Sequence, residues 1–468
     1  DNPVFTGMHE ASARIVQGTR CLLRSANSEP ELGFVWKSIQ DHGAEVGFEN
    51  DYISVSRLAR ATLNRHPWSL GGGGASELKE LLEQRAVGRL SDVIADIGFS
   101  VIVGEDEVFL RPQAARRIQN LPTIPIVIGE LVRDWSLDVS ESILRPFDAT
   151  SLKVEGCPEL ERELWPFRAV LENRVVSGST TMKESGRKWF DVRRLSRDKH
   201  ATPLSITFAF VATHNHFVLD RGGKVFNRSA PIIKLKEGAT EDDHLALLAY
   251  LNSSTACFWM KQVMMNKGGS GIGRGVQDEA WEGRFEFDGT KMGTVPLPPN
   301  WQSLAPLGRV LARLAEEREK AMPGTQIRAL LGGSLPTDFG TPPRDMAQRL
   351  VAVQEELDWT VYRLFGLLEG EQAARERAAT ERAIGPWERF VCEWDKSNPL
   401  ELPFGHRPFE QLMDPAKTQW FVRNQYALPG GVRFHFGAAY GEVLAERMRI
   451  LREGTHLRLI ETPEHKRR

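Results

Sequence analysis

The chain has 468 residues, 41% of them hydrophobic and 26% charged, which excludes a disordered or fibrous protein and leaves room for several domains. Its 60 Lys and Arg against 62 Asp and Glu give a formal net charge of −2, so only a local basic patch could draw it to nucleic acid. Four scattered cysteines (Cys21, Cys157, Cys257, Cys392), with no CxxC pair, argue against a zinc site or a disulfide framework and fit a reducing cytoplasm. No apolar stretch reaches the roughly 18 residues of a membrane span, and the opening residues do not read as a signal peptide.

Near the start, Asn2-Pro3-Val4-Phe5 lacks the second proline of an Asn-Pro-Pro-aromatic loop and reads as plain loop. Residues 13–24 could form a strand, Gly33 to Ile39 has helical spacing, Tyr52 to Val55 reads as a short strand and Arg57 to Leu63 as a small helix. Gly71 to Gly74 precede a helix at Ser76 to Ala86. They lack the Lys-Ser/Thr of a phosphate loop and the GxGxxG spacing, so a flexible linker is the better account.

Arg89-Leu90-Ser91-Asp92-Val93 opens a new unit. Glu105, Asp106 and Glu107 form an acidic turn leading into a strand, with no partner to make a metal or acid–base cluster. Strands are predicted at Ile124 to Ile128 and at Ile143 to Leu144. A helix is predicted at Glu159 to Asn173, with Leu160, Leu164, Phe167, Val170 and Leu171 apolar. Val175 to Glu184 reads as a polar loop carrying Lys183.

Residues 186–236 are the centre of the chain. A basic, aromatic lead-in (Arg187, Lys188, Trp189, Phe190, Arg193, Arg194, Arg197, Lys199, His200) runs into apolar strands at Ile206 to Ala212, Phe217 to Leu219 and Ile232 to Leu235. Between them lie a polar knot, Thr213-His214-Asn215-His216, and the turn Asp220-Arg221-Gly222-Gly223-Lys224. Such a scaffold holds side chains out from a rigid sheet edge, as a nucleic-acid reader requires, although an ordinary solvated meander has the same pattern. His214 and His216 alternate along a strand but lack a third metal ligand.

Further on, helices are predicted at His244 to Leu251 and Thr255 to Met265. Asn266 to Gly275 is a glycine-rich basic loop in which Lys267 and Arg274 could touch phosphates. Strands are expected at Trp281 to Phe287 and Met292 to Leu297. Between them, Asp288-Gly289-Thr290-Lys291 has an Asp-x-x-Lys look but lacks the second acidic residue of a nuclease core. After Pro296-Leu297-Pro298-Pro299 the period turns helical, at Leu304 to Ala321 and Arg344 to Leu368, around a Pro/Gly linker at 322–343. Trp387, Phe390, Trp394, Phe404, Phe409, Trp420 and Phe421 form the expected core of a tail module, with a helix at Ala438 to Arg452 and a basic terminus, Glu464-His465-Lys466-Arg467-Arg468, as a further DNA contact or none.

Several strings carry a resemblance. His66-Pro67-Trp68-Ser69-Leu70 with its glycines, Thr202-Pro203-Leu204-Ser205 through His214-Asn215-His216-Phe217 to Arg228-Ser229-Ala230-Pro231, Leu251 to Trp259, Phe287 to Lys291 and Ile460 to Arg468 resemble the C-terminal half of adenine-specific DNA methyltransferases of phage-exclusion systems, the BREX PglX type and its DISARM relative. The opening at Arg89 to Val93 and the exit at Val295 to Pro299 more loosely resemble the recognition domains of type I restriction specificity subunits. The glycine motif for S-adenosylmethionine and the Asn-Pro-Pro-Tyr/Phe loop of such methyltransferases do not occur in this sequence.

The resemblance implies an α+β chain: a connecting region at 1–85, a β-rich target-recognition domain at 86–300, a long helical spacer at 301–370 and a small, mostly helical C-terminal module at 371–468. It implies sequence-specific recognition of double-stranded DNA for an adenine-N6 methyltransferase, with no catalytic residue, metal or cofactor in this chain. S-adenosylmethionine would sit on a partner subunit or a missing catalytic domain. Other expected partners are proteins of a defence system, and a membrane is not among them. Lys183, Arg187, Lys188, Arg193, Arg194, Arg197, Lys199, Lys224, Arg228, Lys267 and Arg274 would neutralise phosphates or read guanine. Asn215, His216 and Asn227 would read base edges. The alternatives are an assembly protein that bridges a methyltransferase or helicase without reading DNA, and a DNA nuclease with degenerate motifs.

Overall fold

The computed structural model describes residues 33–48, 50, 53, 55, 74–112, 121–133, 135–148, 151–154, 156–196, 199, 204–267, 280–331, 343–384, 408–416, 418–423, 438–454 and 456–466. The expectations for Asn2 to Phe5, for residues 13–24 and 57–63, for Gly71 to Gly73, for the loop 268–275 and for Trp387, Phe390, Trp394 and Phe404 lie outside these residues. The fold is α+β, with short strands in several small sheets and helices concentrated toward the C-terminal end. Two compact units emerge. One draws on Asp1–Leu90, Ser253–Trp301 and Glu355–Arg467; the other on Ser91–Asn252 and Gln302–Gln354.

The second of these units holds the predicted meander. Ser205–Phe208, Phe217–Asp220 and Ile232–Leu235 are β-branched and aromatic, and they form an antiparallel sheet with Ile94–Gly98 at its edge. Ile206 faces Leu219 on one side and Ile233 on the other, and Phe208 faces Phe217 with ring centroids 5.4 Å apart. A second sheet combines Thr123–Val127, Glu141–Leu144 and Leu110–Pro112 with Val225–Phe226, which runs parallel to Thr123–Val127. Its core includes Phe109, Ile126, Ile143, Phe147, Leu164, Phe190 and Val192.

The helix Glu241–Leu251 starts at a capping box in which Thr240 and Asp243 satisfy each other's backbone N–H groups. From His244 to Leu251 every side chain is buried, as the run Leu-Ala-Leu-Leu-Ala-Tyr-Leu requires. It packs against the helix Ala305–Ala321 at Gly308, where an added Cβ would lie 2.1 Å from the Leu245 carbonyl oxygen. Only a residue without a side chain permits that approach.

Three expectations are corrected. The helix predicted over 159–173 is broken into Pro158–Leu164, a 3-10 turn at Trp165–Phe167 and Arg168–Glu172. Pro166 has no N–H to continue the ladder, and the break turns Phe167 and Val170 outward, 41% and 52% exposed. The acidic stretch before Leu110 includes one helical turn, Asp106–Phe109. The linker at 322–343 contains a helix, Pro323–Leu331.

In the other unit, the helix Gly370–Ile384 lies along Ala438–Glu453. Phe409, Trp420 and Phe421 gather with Trp281 into a small aromatic core. Ala280–Glu282 is a 3-10 turn, so the strand expected from Trp281 is reduced to Phe285–Glu286, paired with Met265–Asn266. Residues 355–362, Glu-Glu-Leu-Asp-Trp-Thr-Val-Tyr, are interior apart from half-buried Thr360, acidic side chains included. The buried Arg447 guanidinium joins Glu356 at 2.6 Å and Glu376 at 2.8 Å, and Arg363 reaches Glu376 at 2.5 Å. Lys466, fully buried, meets Glu355, Glu461 and Asp358 at 2.8, 2.9 and 3.1 Å. Of the two readings of the basic terminus, a DNA contact or none, Lys466 follows the second: its charge is consumed by interior carboxylates.

Candidate nucleic-acid interface

Residues 182–196 form an arm carrying five of the predicted basic side chains, Lys183, Arg187, Lys188, Arg193 and Arg194. It follows a hairpin of Val175–Ser177 and Thr180–Thr181, where a polar loop was predicted. Met182, Phe190 and Val192 sink into the interior and fix the arm from below. Its far end, Arg194–Leu195, pairs antiparallel with Val101–Ile102.

Arg174 holds the arm in shape. Its guanidinium donates to the carbonyls of Val103 at 2.7 Å, Asp191 at 2.7 Å, Trp189 at 3.0 Å and Leu171 at 3.1 Å. Burial pulls this arginine down to about 10, with Glu105 and Asp191 opposing, so it stays charged at neutral pH. Its sequence context, Glu-Asn-Arg-Val, gave no sign of this role, because the acceptors are backbone atoms of distant segments.

On this frame the cations divide into two groups. Lys183, Lys188 and Arg194 are exposed, Arg193 is half-buried, and none has an ion pair among the described residues. Lys188 lies 5.6 Å from the Phe190 ring and Arg194 5.8 Å from the Phe99 ring. Arg228, on the turn after Val225–Phe226, is also exposed and unpaired among the described residues. Arg187 is tied to Asp191 at 2.5 Å and to the Arg193 carbonyl at 2.7 Å. Lys183, Arg187, Lys188, Trp189 and Phe190 line a shallow depression together with Glu172.

Beside this depression an aromatic corner projects. Trp165, 58% exposed, meets Trp189 edge-to-face with centroids 6.1 Å apart. The Arg168 guanidinium lies 4.8 Å from the Trp165 ring and 5.8 Å from Trp189, and is held by Glu172 at 2.7 Å. Neither Trp165 nor Arg168 was singled out by pattern, since a continuous helix would have placed them differently.

Other predicted readers are not presented to a ligand. Asn215 and His216 are buried, which corrects their assignment to base edges. Asn215 donates to the Leu251 carbonyl at 2.6 Å, and neighbouring Asn252 exchanges two bonds with the backbone of Phe217, at 2.8 and 3.0 Å. The polar knot is thus a seam tying the end of a helix to a strand. His214 is buried too, with Nδ1 3.1 Å from the Thr213 hydroxyl, and the described residues contain no cluster of metal-ligating side chains.

Lys199 is spent on Asp96 at 2.6 Å and the Ile97 carbonyl at 3.3 Å. Lys224 closes its own turn on Asp220 at 2.6 Å, and Lys267 faces Glu286 at 2.6 Å. Asn227 accepts from Ser229 at 2.7 and 2.9 Å. Arg197 and Arg274 lie outside the described residues. Asp288 caps the turn Gly289–Met292 by accepting from the N–H groups of Thr290 and Lys291, a structural use of the Asp-x-x-Lys stretch.

Over 95% of its length the chain is 33% identical to an adenine-specific methyltransferase PglX of Streptomyces coelicolor. The resemblance to a PglX methyltransferase holds. The chain spans 37% of that relative's length. Residues 350–468 match a family model described as a domain of unknown function, DUF7008, and every member of the buried ion clusters falls within that segment. Two solved restriction-modification enzymes are similar in part. The type IIL enzyme MmeI in complex with DNA shares 13% identity over 66% of this chain and 37% of its own, with a TM-score of 0.38. The type IIG endonuclease BpuSI shares 12% over 71% and 38%, with a TM-score of 0.33. No described helix is long and apolar enough to cross a membrane.

Proposed function

We propose that this chain recognises double-stranded DNA as the specificity part of an adenine-N6 DNA methyltransferase in a BREX-like phage-defence system. The observation carrying the reading is the set of cations without ion pairs among the described residues, Lys183, Lys188, Arg193, Arg194 and Arg228, on and near an arm braced by Arg174. Charges already paired would have to break those pairs to meet a phosphate; these do not. The 33% identity to a PglX methyltransferase supplies the context. In this reading S-adenosylmethionine and methyl transfer belong to a catalytic domain on the same polypeptide or on a partner.

A mobility-shift titration against duplex DNA at several salt concentrations tests the reading. Binding is expected, with selectivity over competitor DNA and no methylation by this chain alone. Lys183→Gln and Lys188→Gln should each lower the slope of log affinity against log salt by about 0.9, the release accompanying one duplex phosphate. Absence of binding at low salt would leave an assembly role, and methylation by the chain alone would overturn the division of labour.

A further inference from the structure

The aromatic corner at Trp165 is not accounted for by duplex recognition. A tryptophan 58% exposed contributes little to a core, and Phe167 beside it is 41% exposed. Pro166, between them, breaks the helix that would have turned this stretch inward. The corner is also organised. Trp189 supports Trp165 edge-to-face, and Arg168 lies near both rings while Glu172 anchors its guanidinium. The adjoining depression presents Lys183 and Lys188 with no ion pair among the described residues, and its one carboxylate, Glu172, is committed to Arg168.

An exposed ring packed edge-to-face on a second indole, with ammonium groups nearby that have no ion pair among the described residues, suits a ligand combining a flat apolar face and a negative charge. An unpaired nucleotide has both. Its base can stack on an indole whatever its identity, while its phosphate meets an ammonium. A paired duplex offers no base face to such a ring. An acidic peptide would satisfy the lysines but leave the ring without a planar partner. We propose that Trp165, with Trp189, Arg168, Lys183 and Lys188, forms a stacking platform for a single-stranded DNA segment. The inference rests on the reading of this face as a DNA interface and adds a second form of DNA to it.

The test separates base from phosphate. Anisotropy titrations of the full chain use three labelled probes: oligo-dT, an abasic strand of equal length, and a paired duplex. Oligo-dT is expected to bind about tenfold more tightly than the abasic strand, the effect of one base stacked on an aromatic ring. Trp165→Ala should erase that difference, and Trp165→Phe should keep most of it. The double variant Lys183→Gln/Lys188→Gln should weaken both strands by the same factor. The exposed position of Trp165 lets each variant fold, which its unchanged thermal unfolding would verify. Equal binding of the two strands by the parent chain overturns the inference while duplex binding leaves the proposed function standing. Failure to bind any of the three overturns both. Trp165→Ala binding all probes as the parent does overturns the platform.

Discussion

The same pairing of side chains occurs in two very different settings. Arg168 lies 4.8 Å from the ring of Trp165, and Arg447 lies 4.8 Å from the ring of Trp359. Trp165 is 58% exposed, whereas Trp359 and Arg447 are essentially sealed from water. In water the cation and ring attract weakly, by roughly 0.5–1 kcal/mol, and the ring remains open to a third party while Glu172 holds the cation. Inside the protein the same cation has lost its hydration and must be neutralised, which Glu356 and Glu376 do. Geometry is shared and solvent decides the role: the exposed pair can receive a ligand, and the buried pair fixes how helices meet.

The sharpest way to break the comparison is to remove the buried cation. Arg447→Met keeps much of the volume but strands the Glu356 and Glu376 carboxylates, leaving Arg363 to face Glu376 alone. A loss of about 3–5 kcal/mol is expected, the range for uncovering a buried charge, and denaturant unfolding measures it. Arg168→Met should change stability by less than about 1 kcal/mol, as for an exposed ion pair. Similar losses from the two substitutions would show that burial does not separate their roles.

Next in size is Arg174→Met, which tests the frame beneath the exposed side. Four carbonyls lose a charged donor, so a loss of about 3 kcal/mol is expected, at the upper end for buried acceptors left without a partner. The arm should loosen around Trp189 and Asp191, and hydrogen exchange at Asp191 and Arg193 should accelerate. Unchanged exchange there would mean that the apolar anchors Phe190 and Val192 hold the arm unaided.

How much of this could be seen in the sequence differed between the two settings. Apolar runs announced themselves: Ile232–Leu235, Glu241–Leu251 and Ser254–Val263 lie close to where period and composition put them. Most of the arm's cations are exposed, and Lys183 and Lys188 are among those free of ion pairs within the described residues. The polar interior was not legible. His214-Asn215-His216 stood out only as a polar knot and Glu355, Glu356 and Asp358 only as polar positions of a long helix, because what buries them is supplied by segments far along the chain, Leu251 for one and Arg447 and Lys466 for the other. Polarity along a sequence indicates exposure only when no distant partner exists. Pro166 was visible, but the apolar spacing around it masked the break.

A substitution without charge calibrates these effects. Gly308→Ala would push a Cβ to 2.1 Å from the Leu245 carbonyl oxygen, so the helices 241–251 and 305–321 must separate. Overpacking of this kind costs about 2 kcal/mol, to be read by thermal unfolding. A stabilised variant would mean that the gain in helix propensity over glycine exceeds the contact, and that the approach at Gly308 is softer than its geometry indicates.

The smallest expected effect concerns the second buried cluster, where Lys466 faces Glu355, Asp358 and Glu461. One ammonium cannot neutralise three carboxylates. Burial pushes the Glu461 carboxyl up to about 7, with Lys466 opposing and Glu355 adding to the rise. The unfolded chain releases this proton near the ordinary value of 4.5, whereas the folded chain retains it to about 7. Stability from this group is therefore complete below the unfolded value and falls as pH rises through 7. Glu461→Gln removes the titration while keeping an acceptor for Tyr362, whose hydroxyl donates to Glu461 Oε1 at 2.6 Å. The variant's melting temperature should accordingly change less than the parent's between mildly acidic and mildly alkaline buffer, and should stand higher relative to the parent on the alkaline side. Parallel pH profiles for the two proteins would place the retained proton elsewhere in the cluster. The same substitution should leave DNA affinity unchanged, because an interior charge shapes the fold and only an exposed one meets the ligand.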